Sequence, residues 1–254
     1  MPEIRKPRHL GVLALAWVAA AVTACGPAGS VDPADPKPAA PTPDSPAPTT
    51  APATPTPSPT PTPAGPPEFT AKVSRVTAKE LGASWRSGCP VGPSGLRKVT
   101  MTYWGFDKKA HTGELIVNRV VTDDVVDIFG KLYEWRFPIT RMENIAAYRA
   151  SDFDSIDADN TSAFNCRQAT GGTSWSKHSF GQAIDLNPRE NPWVEPDGSV
   201  AHTNARRFAD RPLRKPGVVN DGDRVVDLFA DHGWEWGGYF NGAKDYQHFS
   251  KGGG

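Results

Sequence analysis

The chain has 254 residues, in which 28 lysines and arginines balance 28 aspartates and glutamates. No basic excess points to nucleic acid as a partner. Residues 68–254, where the aromatic residues concentrate, are enough for one domain with a real core.

Arg5, Lys6 and Arg8 give the chain a basic start, and residues 10–22 form an apolar core of signal-peptide length, short for a transmembrane helix. That core runs into "VTAC", residues 22–25, followed by Gly26. A branched apolar residue, small residues and then Cys resemble a bacterial lipoprotein signal. The resemblance implies cleavage after residue 24 and lipid attachment to Cys25. An ordinary secretory signal is the alternative, and with either the mature chain is expected to work outside the cytoplasm. The lipidated form would sit on the outer face of the cell membrane. Residues 26–67 hold sixteen of the 26 prolines and no large apolar residue after Val31. Such a stretch cannot bury a core. In polyproline geometry it would reach on the order of 100 Å as a tether into the cell wall.

The expected folded domain is therefore 68–254. Residues 69–81, 97–107 and 113–121 carry β-branched and aromatic residues in partial alternation and predict strands, with Val99, Met101 and Tyr103 on one face. Thr122 is placed to cap a helix through Tyr133, with Asp123 and Asp124 in its first turn and Val125, Ile128, Phe129 and Leu132 on its buried face. Residues 149–174 and 189–221 predict loops, and 183–186 a short buried strand ended by Asn187-Pro188. Residues 223–233 predict a helix stopped by Gly233. "YQHF", 246–249, predicts a last strand. Strands and helices are segregated, so the expected class is α+β with a mainly antiparallel sheet and flanking helices.

Two cysteines, Cys89 and Cys166, belong to this domain, and in an exported chain a lone pair is expected to form a disulfide. The alternative is Cys166 as a metal ligand. "SWSKHSFGQAIDLNP", residues 174–188, sets His178 and Asp185 around Gly181, and "DYQHF", residues 245–249, supplies His248 with Asp245 three residues before it. Two imidazoles and a carboxylate make a three-ligand zinc site whose fourth position is left to water. Zinc lowers that water's pKa toward about 7. A further carboxylate is then needed to take and return the proton, and Asp245 is the candidate. To face the site it must lie in the turn before the strand, because residues i and i+3 of a strand face opposite sides. Of the other histidines, His9 is in the signal, His232 sits at a helix end, and His202 lies in a polar segment expected to be exposed. His111 is in a turn, with a site role left open.

"SxHxxGxAxD" from Ser176 to Asp185, then "WEWGG" and "DYQHF", preceded by "NTSAFNCR" at 160–167, together resemble the zinc D-alanyl-D-alanine carboxypeptidase family. The likeness is to the VanY-like type, which also includes L-alanyl-D-glutamate endopeptidases, and it covers nearly all of residues 80–250. It implies a fold of the DD-peptidase and hedgehog kind with the zinc site at the sheet. It implies His178, Asp185 and His248 as ligands of one zinc ion and Asp245 as the catalytic acid and base. It also suggests that Arg167 polarises the scissile carbonyl, a task suited to a guanidinium of permanent charge. Pairing of Arg167 with a nearby Asp is the alternative. Ser176 is expected to bind substrate or buttress the ligand loop. Trp236, Gly237 and Gly238 are expected to shape the cleft wall, and Trp234 to be core.

The implied activity is hydrolysis of peptidoglycan stem peptides by attack of zinc-bound water, as a D,D-carboxypeptidase or an L-Ala-D-Glu endopeptidase, in a monomer. Two alternatives stand beside it. One is a lipid-anchored, non-catalytic wall-binding lipoprotein with a structural zinc; the other is a zinc amidase or esterase with a different extracellular substrate.

Overall fold

The computed structural model describes residues 65–253. The signal, Cys25 and most of the expected tether lie outside the described residues. Strands β1 (Ala71–Arg75), β2 (Leu96–Gly105) and β3 (Ala110–Asn118) form an antiparallel meander, and β4 (Pro138–Ile139) runs parallel to the end of β2. Val99, Met101 and Tyr103 share the buried face of β2, as alternate residues of a strand do. The strand expected over 69–81 stops at Arg75. Thr77 and Glu80 make reciprocal hydrogen bonds that open helix α1 (Ala78–Leu81), so local capping overrides the alternation.

Helix α2 (Thr122–Glu134) lays Val125, Ile128, Phe129 and Leu132 into the core, the spacing that puts side chains on one helical face. Thr122 does not cap it. Val121 holds the N-cap position, and the Thr122 hydroxyl donates to the Arg119 carbonyl at 3.1 Å. β3 begins at Ala110, which takes His111 out of the expected turn. Its ring stacks on Tyr103, with centroids 5.3 Å apart.

The stretch 149–174 is more ordered than its composition predicts. Helix α3 (Asp152–Asp157) is capped by Ser151, whose hydroxyl accepts from the Asp154 N–H, and β6 (Asn160–Thr161) runs parallel to β5 (Arg141–Met142). A second sheet has β11 (His248–Lys251) at its centre, antiparallel to β7 (Ala183–Asp185) on one side and β9 (Trp234–Trp236) on the other. Helix α4 (Arg224–Asp231) packs against it through Phe229, stacked on Phe249 at 3.8 Å. Finally β10 (Lys244–Asp245) pairs with β8 (Trp193–Val194).

The class is α+β, as expected, but the strands are divided among several small sheets. The pairings β2–β4 and β5–β6 are parallel and the other five antiparallel. One apolar core joins the two larger sheets, with Val99 and Phe129 in the same cluster as Ile184, Trp236 and Phe249. Cys89 and Cys166 form a disulfide, Cα to Cα 5.9 Å, so Cys166 is not a free thiolate for a metal. Among the described residues no helix is long and apolar enough to cross a membrane.

Candidate metal centre

His178 lies in a single 3₁₀ turn, Lys177–Phe180, just ahead of β7. Two local devices set that turn. The Ser176 hydroxyl accepts from the His178 backbone N–H at 3.2 Å, capping it as short hydroxyl residues do. At the other end Gly181 takes a left-handed conformation, φ 66°, and its carbonyl accepts from the Asn118 N–H at 2.8 Å. A Cβ on Gly181 would stand 2.6 Å from that same nitrogen. Both the backbone angle and the close approach to the end of β3 therefore demand glycine. The Asn118 side chain adds a bond to the Phe180 carbonyl, 2.9 Å, so the ligand turn is tied to the first sheet.

The other two donors come from one sheet. Asp185 ends β7, His248 begins β11, and the antiparallel register sets them directly opposite each other. Cross-strand neighbours have Cβ atoms about 5 Å apart, so a separation of 63 residues closes to contact. His178 Nδ1 bonds the Ala163 carbonyl at 2.6 Å, which makes Nδ1 the protonated nitrogen and turns Nε2 toward the site. His178 Nε2 is then 3.2 Å from His248 Nδ1 and 3.2 Å from Asp185 Oδ2, and His248 Nδ1 is 3.3 Å from Asp185 Oδ1. All three side chains are buried.

These spacings fit a shared cation. Donors about 2.05 Å from a tetrahedral ion lie about 3.3 Å from one another, as they do here. Two imidazole nitrogens and a carboxylate facing one another away from water are costly without a positive charge between them. Burial works to raise the Asp185 carboxyl, but the charges of His178 and His248 and their hydrogen bonds outweigh it, and the group is held far below the usual carboxylate range. The donor set and its geometry fit zinc.

Asp245 stands beside this group. It closes β10, a two-residue turn follows, and β11 starts at His248, so the carboxylate is directed to the same side as the imidazole despite the three-residue spacing. Its Oδ2 is 3.9 Å from His248 Nδ1, and its Oδ1 is buried with no hydrogen-bond partner. Burial pushes the Asp245 carboxyl up to about 7; the charge of His248 pulls it back, and Asp185 adds to the rise. Gly237 makes the approach possible, since a Cβ there would meet the Asp245 carbonyl at 2.5 Å.

Asp245 also lines a cleft of about 330 Å³ with Asp152, Phe153, Arg167, Trp193 and Gln247. Arg167 lines it as well, its Nη2 3.0 Å from Asp152 and its Nε buried without a partner. Pairing with a nearby Asp, the alternative reading of Arg167, is thus present together with its position on the cleft. Trp236 is core. It is buried, and its indole N–H donates to the Tyr246 carbonyl at 2.8 Å, so it holds the Asp245–His248 turn from behind and is not among the lining residues. Trp234 is core as expected. His232 bonds the Leu228 carbonyl at its helix end. His202, placed in an exposed polar segment by the sequence, instead lines the cleft; nothing in its neighbours' chemistry signalled that. A larger cavity of about 810 Å³, near Trp104 and Arg136, touches none of the donors, and the chemistry selects the smaller one.

An α+β protein with a buried His/Asp/His group able to hold one metal ion, beside a carboxylate on a cleft, is thus in view. Residues 170–251 match the family model of D-alanyl-D-alanine carboxypeptidases. Over that segment the family likeness carried by the motifs is shown, and it contains all three donors, Ser176 and Asp245. The match begins beyond Arg167. No curated protein and no solved structure matches the chain.

Proposed function

We propose that this chain is a zinc-dependent peptidase that hydrolyses peptidoglycan stem peptides outside the cytoplasm, removing a terminal D-alanine or cutting between L-alanine and D-glutamate. The observation that carries the reading is the buried Asp245 carboxylate, its Oδ1 without a hydrogen-bond partner, set against His178, Asp185 and His248. A metal needed only to brace the fold requires no such neighbour, and the family match supports peptide hydrolysis.

When bound, zinc supplies a Lewis acid and a water of lowered pKa. Asp245 would take up a proton at its buried Oδ1 and deliver it to the departing amine. Arg167 donates to the carbonyl oxygen as negative charge develops there. Ser176 keeps His178 in place through its backbone, and Ala163 fixes the tautomer of its ring. The lipid anchor at Cys25 and the proline-rich tether would give this domain its location at the membrane and its reach into the wall.

The test is the zinc-loaded protein with defined muropeptides, read by mass spectrometry beside the His178→Ala variant. Loss of one terminal alanine identifies a carboxypeptidase, and a product beginning at D-glutamate identifies an endopeptidase. No product from any muropeptide, with zinc bound, favours the wall-binding lipoprotein. Asp245→Ala should retain zinc and lose roughly 10²–10⁴-fold in turnover. Near wild-type turnover in that variant would place the base elsewhere.

A further inference from the structure

The cleft beside Asp245 is lined by two unlike sets of side chains. In one, Arg167 is paired with Asp152, so the sole Lys or Arg among the lining residues is already matched. In the other, the lining is Phe153, Trp193, Glu195 and His202. Phe153 is 56 % exposed, and the His202 ring lies on it with centroids 4.4 Å apart. His202 Nδ1 is in turn 3.4 Å from the Asp157 carboxylate, which anchors the pair to α3. Trp193 donates its indole N–H to Glu195 Oε1 at 2.9 Å, holding an exposed carboxylate beside an aromatic ring.

A carboxylate held by one indole in a cleft that other aromatic rings also line is chemistry for a cation: the carboxylate accepts charge-assisted hydrogen bonds, and ring faces attract positive charge. The same arrangement repels a terminal carboxylate. We propose that this part of the cleft is an ammonium subsite, in which Glu195, set by Trp193, binds the side-chain ammonium of a diamino acid in the peptide. The Phe153–His202 pair covers the methylene stem that carries it, as apolar surface does for lysine-like chains. Peptides whose side-chain amine is free are therefore preferred over those in which it is acylated, as in a cross-link, because acylation removes the charge and all but one of the donors. The substrate preference rests on the peptidase reading; the binding of the ammonium does not.

The experiment uses two synthetic peptides of one sequence, with the lysine side chain free in one and N-acetylated in the other. Their affinities are measured by calorimetry on the full zinc-loaded chain carrying Asp245→Ala, with and without Glu195→Gln, and their hydrolysis is measured on the unsubstituted chain. Acetylation is expected to weaken binding roughly tenfold or more, the range of a charge-assisted hydrogen bond. Glu195→Gln should bring the free-amine peptide down to the acetylated one without changing the far-ultraviolet circular dichroism. Equal affinity for the two peptides, no binding of either, or full discrimination in Glu195→Gln would each overturn the subsite. Selective binding with no hydrolysis of either peptide leaves the subsite standing and removes the peptidase reading. Hydrolysis with equal rates and equal affinities does the reverse.

Discussion

The half of the domain built on β1–β3 and the half that carries the donors are held together by different physics. In the first, β2 and α2 meet through side chains placed by periodicity alone: Val99, Met101 and Tyr103 at every second position, and Val125, Ile128, Phe129 and Leu132 on one helical face. Many contacts share the burden, and any one position is replaceable by a similar apolar group. In the second, short strands are separated by long loops, and single polar side chains do the holding. Asn191, fully buried, donates to the Leu186 and Gly217 carbonyls and accepts from the Val219 N–H and from Arg211. Asn187 and Asn118 bridge distant backbone segments in the same way. The Ser179 hydroxyl joins the 3₁₀ turn to the Arg167 backbone, accepting from its N–H at 2.8 Å and donating to its carbonyl at 2.6 Å. Loops that carry a site must satisfy their own backbone groups, and here side-chain amides and hydroxyls supply what a sheet ladder would. The site half is thereby specified residue by residue, with little redundancy.

That contrast can be broken first at Phe129. Its removal from the core by Phe129→Ala should lower stability by about 3–5 kcal/mol, the range for a large buried ring, while the zinc affinity of the protein that remains folded is unchanged. Denaturant unfolding and a zinc competition assay read the two quantities. A loss of zinc affinity matching the loss of stability would mean that the halves are not separable.

Next in size is Gly181→Val. A branched side chain at φ 66° and in contact with the Asn118 nitrogen displaces the ligand turn. Zinc affinity should fall by roughly 100-fold, the upper range for disturbing what supports a ligand, while far-ultraviolet circular dichroism largely survives. Unchanged affinity would show that the turn adapts.

The smallest effect sharpens the picture of the loop that follows β7. Glu190 is buried beside Asp159; burial first, then the Asp159 charge, pushes its carboxyl from 4.5 up to about 7, against the pull of Arg189. A carboxyl whose pKa is raised on folding binds its proton more tightly in the folded state. The contribution of Glu190 to stability is therefore fullest below about pH 4.5 and declines as pH rises through about 7. Glu190→Gln should flatten that decline, with urea unfolding at several pH values as the measurement. An unaltered slope would assign the pH dependence to another group.

The sequence by itself determined which residue types the candidate site could offer and much of the local structure nearest to it. Periodicity sufficed for the buried faces of β2 and α2. The donor types in "SWSKHSFGQAIDLNP" and "DYQHF" made His178, Asp185, His248 and Asp245 candidates, since few residue types can ligate zinc or move a proton; their roles came from the family resemblance, and the structure brings the four side chains together. Composition also indicated a disulfide between Cys89 and Cys166, which the structure contains. Where local propensity competed with a neighbour's hydrogen bond, the sequence misled. The capping box at Thr77 cut short a strand, Asp152–Asp157 formed a helix inside a supposed loop, and Thr122 left the N-cap position to Val121. Tertiary structure alone decided what distance in the chain conceals: the β7–β11 register that sets Asp185 opposite His248, the division into several sheets, the burial of Trp236 behind the site, and the arrival of His202 on the cleft wall. Residue type records what a group can do. Which groups meet depends on strand register and loop closure, and these are set by contacts between segments that carry no mark of one another.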